Sequence, residues 1–162
     1  MRAFIAQVCR PGVKYVILTH YHADHTYGAY LFPAADVVAH VRCRELLAEV
    51  GAPALDATKA EVPELEDVVL RLPDITFDDG ELSLRVGGKV MSLIYAPGHT
   101  QDSIMVYVEN DRVLFAADTV MPVPFPSRES TSMVPPGLVT MISKAMLIPS
   151  PVPSPVFLVV KN

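Results

Sequence analysis

Long apolar runs, cysteines and positive charge are what this chain lacks. No stretch of about 18 apolar residues goes unbroken, so no membrane-spanning helix is expected; the run Leu138–Ile148 contains Lys144 and closes at Pro149. Two cysteines, Cys9 and Cys43, do not make a disulfide framework. They read as free thiols, with a single bridge as the alternative. Thirteen Lys and Arg stand against 18 Asp and Glu, and the net charge of −5 leaves no basic footprint for nucleic acid. Met1–Pro11 is too short and too interrupted for a secretory signal. The chain therefore reads as soluble and, by default, cytoplasmic. No internal repeat is visible.

What is present is a 162-residue chain, 51% hydrophobic and 19% charged, which fits one domain with a sizeable core and excludes wholesale disorder. Its composition is uneven. Seven of the 15 prolines lie in residues 126–162, and that tail holds only four charged residues, Arg128, Glu129, Lys144 and Lys161. Residues 1–125 read as the domain and 126–162 as a proline-rich tail.

Strands and helices alternate along the first part. Tyr15–Leu18 suits a buried strand, followed by a helix from Thr26 to Phe32 that stops before Pro33. Asp36–His40 reads as a second strand and Arg42–Val50 as a helix ended by Gly51. Pro53–Pro63 reads as a linker or lid, and Asp67–Leu72 and Ile75–Phe77 as extended. Turn signals at Asp79-Gly80 and Gly87-Gly88 bracket a strand at Glu81–Val86 and lead to another at Val90–Tyr95. Ser103–Val108 and Val113–Ala116 form a hairpin around Glu109-Asn110-Asp111. In the tail, Met121–Pro126 cannot be a central strand. A short helix is expected within Met133–Leu147, mobile extended chain at Pro149–Pro155 and an edge strand at Phe157–Val160.

The chemistry concentrates in six residues. His20, His22, Asp24 and His25 follow the first strand as His-x-His-x-Asp-His. In extended chain His20 and His22 project to one side and can share a metal, while the loop turns Asp24 and His25 to a neighbouring position. Imidazole and carboxylate donors suit a divalent ion, most commonly zinc. The bland alternative, a polar loop with incidental histidines, must place three histidines and an aspartate in six residues. His99, in Pro97-Gly98-His99-Thr100, follows another strand and offers a third nitrogen. Asp118 ends a later strand; it is either a strand cap or, beside these histidines, a bridging carboxylate.

With Thr19-His20-Tyr21-His22-Ala23-Asp24-His25, Ala96-Pro97-Gly98-His99-Thr100 and Phe115-Ala116-Ala117-Asp118 in this order, the sequence resembles the metallo-β-lactamase superfamily over about Val13–Pro124. Members include β-lactamases, glyoxalase II thioesterases, lactonases, nucleases and iron-dependent flavodiiron proteins. The resemblance implies an α/β fold, a four-layer αββα sandwich with a metal site at one edge. It implies that His20, His22 and His99 hold a first metal, that Asp24 and His25 hold a second, and that Asp118 bridges the two. B1 β-lactamases carry a cysteine at the aspartate motif and none lies near it here, which favours a thioesterase- or lactonase-like hydrolase. The implied reaction is hydrolysis of an ester, thioester or lactam carbonyl of a small molecule by a metal-activated hydroxide. Asp24 is the implied catalytic residue, orienting that hydroxide and receiving its proton.

Three departures shape the expectation. Ala117 stands where the family usually has glycine. No histidine follows His99, although the family's second metal site takes one from beyond the aspartate motif. Only about a dozen residues precede the first motif, where the family places a strand hairpin. The chain thus reads as the middle of a superfamily domain, truncated at both ends, and a frameshift or misjoin near Phe125–Pro126 would explain the tail. A domain-free alternative reading frame of the coding DNA would count against that. Two further readings stay open: an impaired metal-binding fragment, and an iron-bound redox member, since iron or manganese also suits these ligands. His40 reads as a strand end, Cys43 as a packed thiol, Asp78-Asp79-Gly80 as a turn, and Asp102 and Ser103 as caps.

Overall fold

The computed structural model describes Ile5, Gln7, residues 12–120 and the backbone of 159–161. Strand β1 (Val13–Ile17) carries the short apolar run expected there. Its side chains divide between two cores: Tyr15 and Ile17 face one, Val16 and the following Leu18 the other. Strand β2 (Asp36–His40) divides likewise, with Val38 on the first side and Val37 and Ala39 on the second. Such continuous apolar runs belong to parallel strands covered on both faces, and β1 and β2 pair in parallel, Ile17 opposite Val38. Strand β3 (Ile75–Phe77) adds in parallel to β2.

Between β1 and β2 the expected Thr26–Phe32 helix is replaced by two shorter pieces. Helix α1 (Ala23–Thr26) starts within the histidine motif, and a 3-10 turn covers Ala29–Leu31. Thr26 Oγ1 donates to the His22 carbonyl at 3.0 Å, so the chain already coils within the motif. After β2, helix α2 (Val41–Leu46) begins with His40 as its cap, Nδ1 accepting from the Arg42 amide at 3.2 Å. Gly51 does not stop it. A π-helical turn at Leu47–Gly51 leads into helix α3 (Ala52–Lys59), so most of the expected Pro53–Pro63 linker is helical. The reason lies in Pro53, which sits in the first turn of α3, where its missing amide costs little. A Cβ at Gly51 would meet Leu47 Cδ2 at 3.1 Å, so the glycine serves close packing within the run. Residues 67–72 join no sheet; Leu70 and Leu72 pack against the helix-side core instead.

The second sheet is an antiparallel meander of β4 (Glu81–Val86), β5 (Lys89–Tyr95), β6 (Ile104–Val108) and β7 (Val113–Phe115). Gly87 and Gly88 join β4 to β5 with φ of +56° and +76°. Positive φ at both central residues is the requirement of a two-residue hairpin turn that matches the strand twist. Strand β8 (Val159–Lys161) lies antiparallel to β1 at the edge of the first sheet, whose order is β3-β2-β1-β8. It bears out the expected edge strand, shifted slightly along the chain. The expectations for Cys9, Met121–Pro126, Met133–Leu147 and Pro149–Pro155 lie outside the described residues.

The sheets face each other across Ile17 and Val38 on one side and Met91, Leu93, Ile104 and Val106 on the other. Each such fully buried aliphatic side chain contributes about 1.5–3 kcal/mol. The far face of the first sheet is covered by Cys43 and Leu47 of the helical run. The described residues therefore stack helices, sheet and sheet, the α/β sandwich expected; the far face of the second sheet gathers Ala96, Met105, Leu114 and Ala116.

Candidate metal centre

The C-terminal end of β1 releases His20 and His22. Strands β5 and β7 both run antiparallel to β6, so their C-terminal ends lie at one edge of the second sheet. His99 follows β5, and Asp118 follows β7 in a 3-10 turn over Ala117–Thr119. Ile104 N–H donates to Thr19 O at 2.9 Å, binding the two sheet edges together next to His20. Three loops remote in sequence thus meet at one point.

His20 is the centre of the cluster. It is 1% exposed, and its ring centroid lies 4.7 Å from His22, 4.2 Å from His25 and 4.9 Å from His99. Its Nδ1 lies 3.2 Å from Thr19 Oγ1, which leaves Nε2 facing the cluster. His22 Nδ1 is 3.1 Å from His20 Nε2 and 3.0 Å from His99 Nε2. Asp118 Oδ2 lies 3.4 Å from His25 Nε2, 3.6 Å from His99 Nε2 and 3.9 Å from His20 Nε2. Two donor sets result, His20 with His22 and His99, and His20 with His25 and Asp118. Asp24 belongs to neither. Its side chain is 79% exposed, at the rim, with Oδ2 3.4 Å from His25 Nε2.

Burial above all, and then the neighbouring His25, His22 and His99, hold the His20 imidazole down at about 3. His22 is also lowered, by burial and by His99, against the opposing pull of Asp24 and Asp102. A lowered pKa keeps an imidazole neutral with a free lone pair, the form that ligates metals.

The donor set fits a divalent ion. Zinc with nitrogens at about 2.0–2.1 Å in a tetrahedron keeps them about 3.4 Å apart, close to the 3.0 and 3.1 Å separations of the His20, His22 and His99 nitrogens. A carboxylate oxygen near three imidazole nitrogens adds the negative charge that such an ion favours.

Other residues settle into structural roles. His40, 2% exposed, stacks on Tyr95 with centroids 4.0 Å apart and planes 8° from parallel, away from the cluster's donor sets. Cys43 is a buried free thiol pushed well up by burial, as a packed cysteine should be. Ser103 caps as expected, its Oγ accepting from the Thr100 amide at 3.1 Å. Asp102 does not. It is fully buried and neither carboxylate oxygen has a hydrogen-bond partner, so the turn is capped by its neighbour alone. Thr19 was not singled out by sequence reasoning; its position directly before His20 was the available signal.

A family model described as the metallo-beta-lactamase superfamily matches residues 4–153, and the chain belongs to that superfamily. A hydroxyacylglutathione hydrolase of Rhodopseudomonas palustris (strain BisB5) is 33% identical over 105 residues, 65% of this chain and 33% of that protein. The 2,4-dinitroanisole O-demethylase subunit alpha of Nocardioides sp. (strain JS1661) is 34% identical over 122 residues, 74% of this chain and 33% of that protein. The chain spans about a third of the length of these curated relatives. In fold it is similar to a metallo-beta-lactamase from Pontibacter korlensis, with a TM-score of 0.59 at 21% identity over 90% of this chain and 59% of that one. A metallo-beta-lactamase family protein from Thermus thermophilus gives a TM-score of 0.57 at 22% identity, covering 88% of this chain and 54% of that chain.

Proposed function

We propose that this chain carries the metal centre of a zinc-dependent hydrolase that cleaves an ester, thioester or lactam bond of a small molecule. The observation that carries this reading is the convergence of His20, His22, His99, His25 and Asp118 from three separate loops. Relatives named hydroxyacylglutathione hydrolase support an acyl substrate. The ion supplies Lewis-acid polarisation of a carbonyl and acidification of water. His20, His22 and His99 would hold it, and Asp118 with His25 offers a second position. The lowered basicity of His20 and His22 keeps both neutral for that task at neutral pH. Asp24, exposed beside His25, would accept the proton that water gives up.

A second reading is a chain that binds one ion and does not turn over, favoured by Asp24 standing exposed and outside both donor sets. Metal content of the purified protein, measured with hydrolysis of a chromogenic β-lactam and of a thioester, separates the two. Two zinc ions per chain with turnover support the hydrolase; one ion without turnover supports the second reading. Iron in place of zinc points to a redox member, and a metal-free protein that takes up no zinc overturns the centre.

A further inference from the structure

The turn that follows His99 holds a carboxylate that the proposed chemistry does not use. Asp102 is 0% exposed, and neither Oδ1 nor Oδ2 has a hydrogen-bond partner among the described residues. No ion pair to it is formed among them either. It sits in the turn between His99 and β6. That turn is held at one end by Thr100 N–H donating to Ser103 Oγ at 3.1 Å. At the other, Ile104 N–H donates to Thr19 O at 2.9 Å, the residue before His20. The backbone on either side of Asp102 is therefore fixed, close in the chain to His99 and, through Thr19, to the residue before His20.

Its neighbour on the helix side is Cys43, itself 0% exposed. Burial first, then the charge of Asp102 and the close approach of its carboxylate to the thiol, push Cys43 well up, so it stays neutral. A thiol is a weak donor and does little to compensate a buried anion. An isolated buried carboxylate is among the costliest groups a fold can carry unless a cation or strong donors meet it.

We infer that Asp102 is a positioning residue for the metal centre: a buried, unpartnered carboxylate in the loop that carries His99, which burdens the metal-free fold and is compensated when a divalent cation occupies the cluster. The inference rests on the metal reading above. Occupancy and the Asp102 charge are coupled, and the coupling is reciprocal: the charge strengthens cation binding as much as the cation relieves the charge. A carboxylate with a purely architectural role makes the opposite demand, since its removal should weaken the metal-free fold.

The test is Asp102→Asn in the full 162-residue chain, beside the wild type. Zinc affinity is read by competition with a chromophoric chelator, and the melting midpoint is read in EDTA. The expected result is a zinc affinity weaker by about tenfold or more, together with a metal-free midpoint higher by roughly 3 °C or more. A zinc affinity within about twofold of wild type, a lowered metal-free midpoint, or a D102N chain that does not fold each overturns the inference. A wild type that binds no zinc overturns the metal reading and this inference with it. A wild type that binds zinc no better than D102N overturns this inference alone.

Discussion

His22 Nδ1 lies 3.0 Å from His99 Nε2, although 77 positions separate the two residues in the chain. The contact joins the first sheet's edge to the second's, and it makes a nitrogen donor set that neither loop holds alone. His99→Ala should therefore weaken zinc binding by more than the roughly tenfold to hundredfold that loss of an outer partner costs. His20→Ala with His22→Ala should abolish stoichiometric zinc. Elemental analysis after gel filtration checks both, and retained zinc in the double variant would refute the site.

The buried His20 makes the metal-free fold sensitive to acid. Its ordinary value of 6.5 applies in the unfolded chain, and about 3 applies in the fold. Between these values the unfolded chain binds the extra proton, so stability is full above about pH 6.5 and falls as pH drops toward 3. The shift of His22 has the same sign. Urea midpoints in EDTA should decline from pH 7 to pH 4, and His20→Gln should flatten part of the decline. An unchanged midpoint over that range would show that His20 is not buried as described.

Ala117 adopts φ of +46°, in the left-handed region that disfavours a Cβ. The family resemblance marks Ala117 as standing in a glycine's place, and the backbone supplies the reason for a glycine there. Ala117→Gly should stabilise the fold by about 0.5–1 kcal/mol without loss of zinc. Ala117→Val should destabilise it. Chemical denaturation of the three proteins measures the order, and a stability ranking with glycine lowest would contradict the strain.

His40 serves architecture and not the cluster. Its Nδ1 caps α2 and its ring stacks on Tyr95 and meets Phe77 edge-on at 5.5 Å. His40→Ala should cost about 2 kcal/mol through the lost cap and stacking while zinc stoichiometry stays unchanged. A His40→Ala protein that folds normally but loses zinc would place His40 in the centre after all.

Much of the fold was legible in local pattern. Asp36–His40 read as a strand because its apolar run is short and bounded by polar ends, and the two glycine-rich turns located β4 and β5. Where reading failed, a neighbour in space or a compensating geometry decided the outcome. Gly51 and Pro53 look like a helix stop followed by a linker, yet a π turn carries the helix past them. Asp102 looks like a cap because aspartates in turns commonly cap, and its complete burial beside Cys43 leaves no local trace.

The motifs by themselves singled out six residues as candidates for the chemistry, because imidazole and carboxylate at strand ends are donors whatever surrounds them. Only the tertiary structure decided how they are shared out. Asp118 reaches His25, His99 and His20 because β5 and β7 run the same way and end at one edge. Asp24, adjacent to His25 in sequence, is turned to the rim by the short helix that begins at Ala23. Chain neighbours inherit their proximity from covalent bonds, whereas the donors of the centre acquire theirs from the register and packing of two sheets.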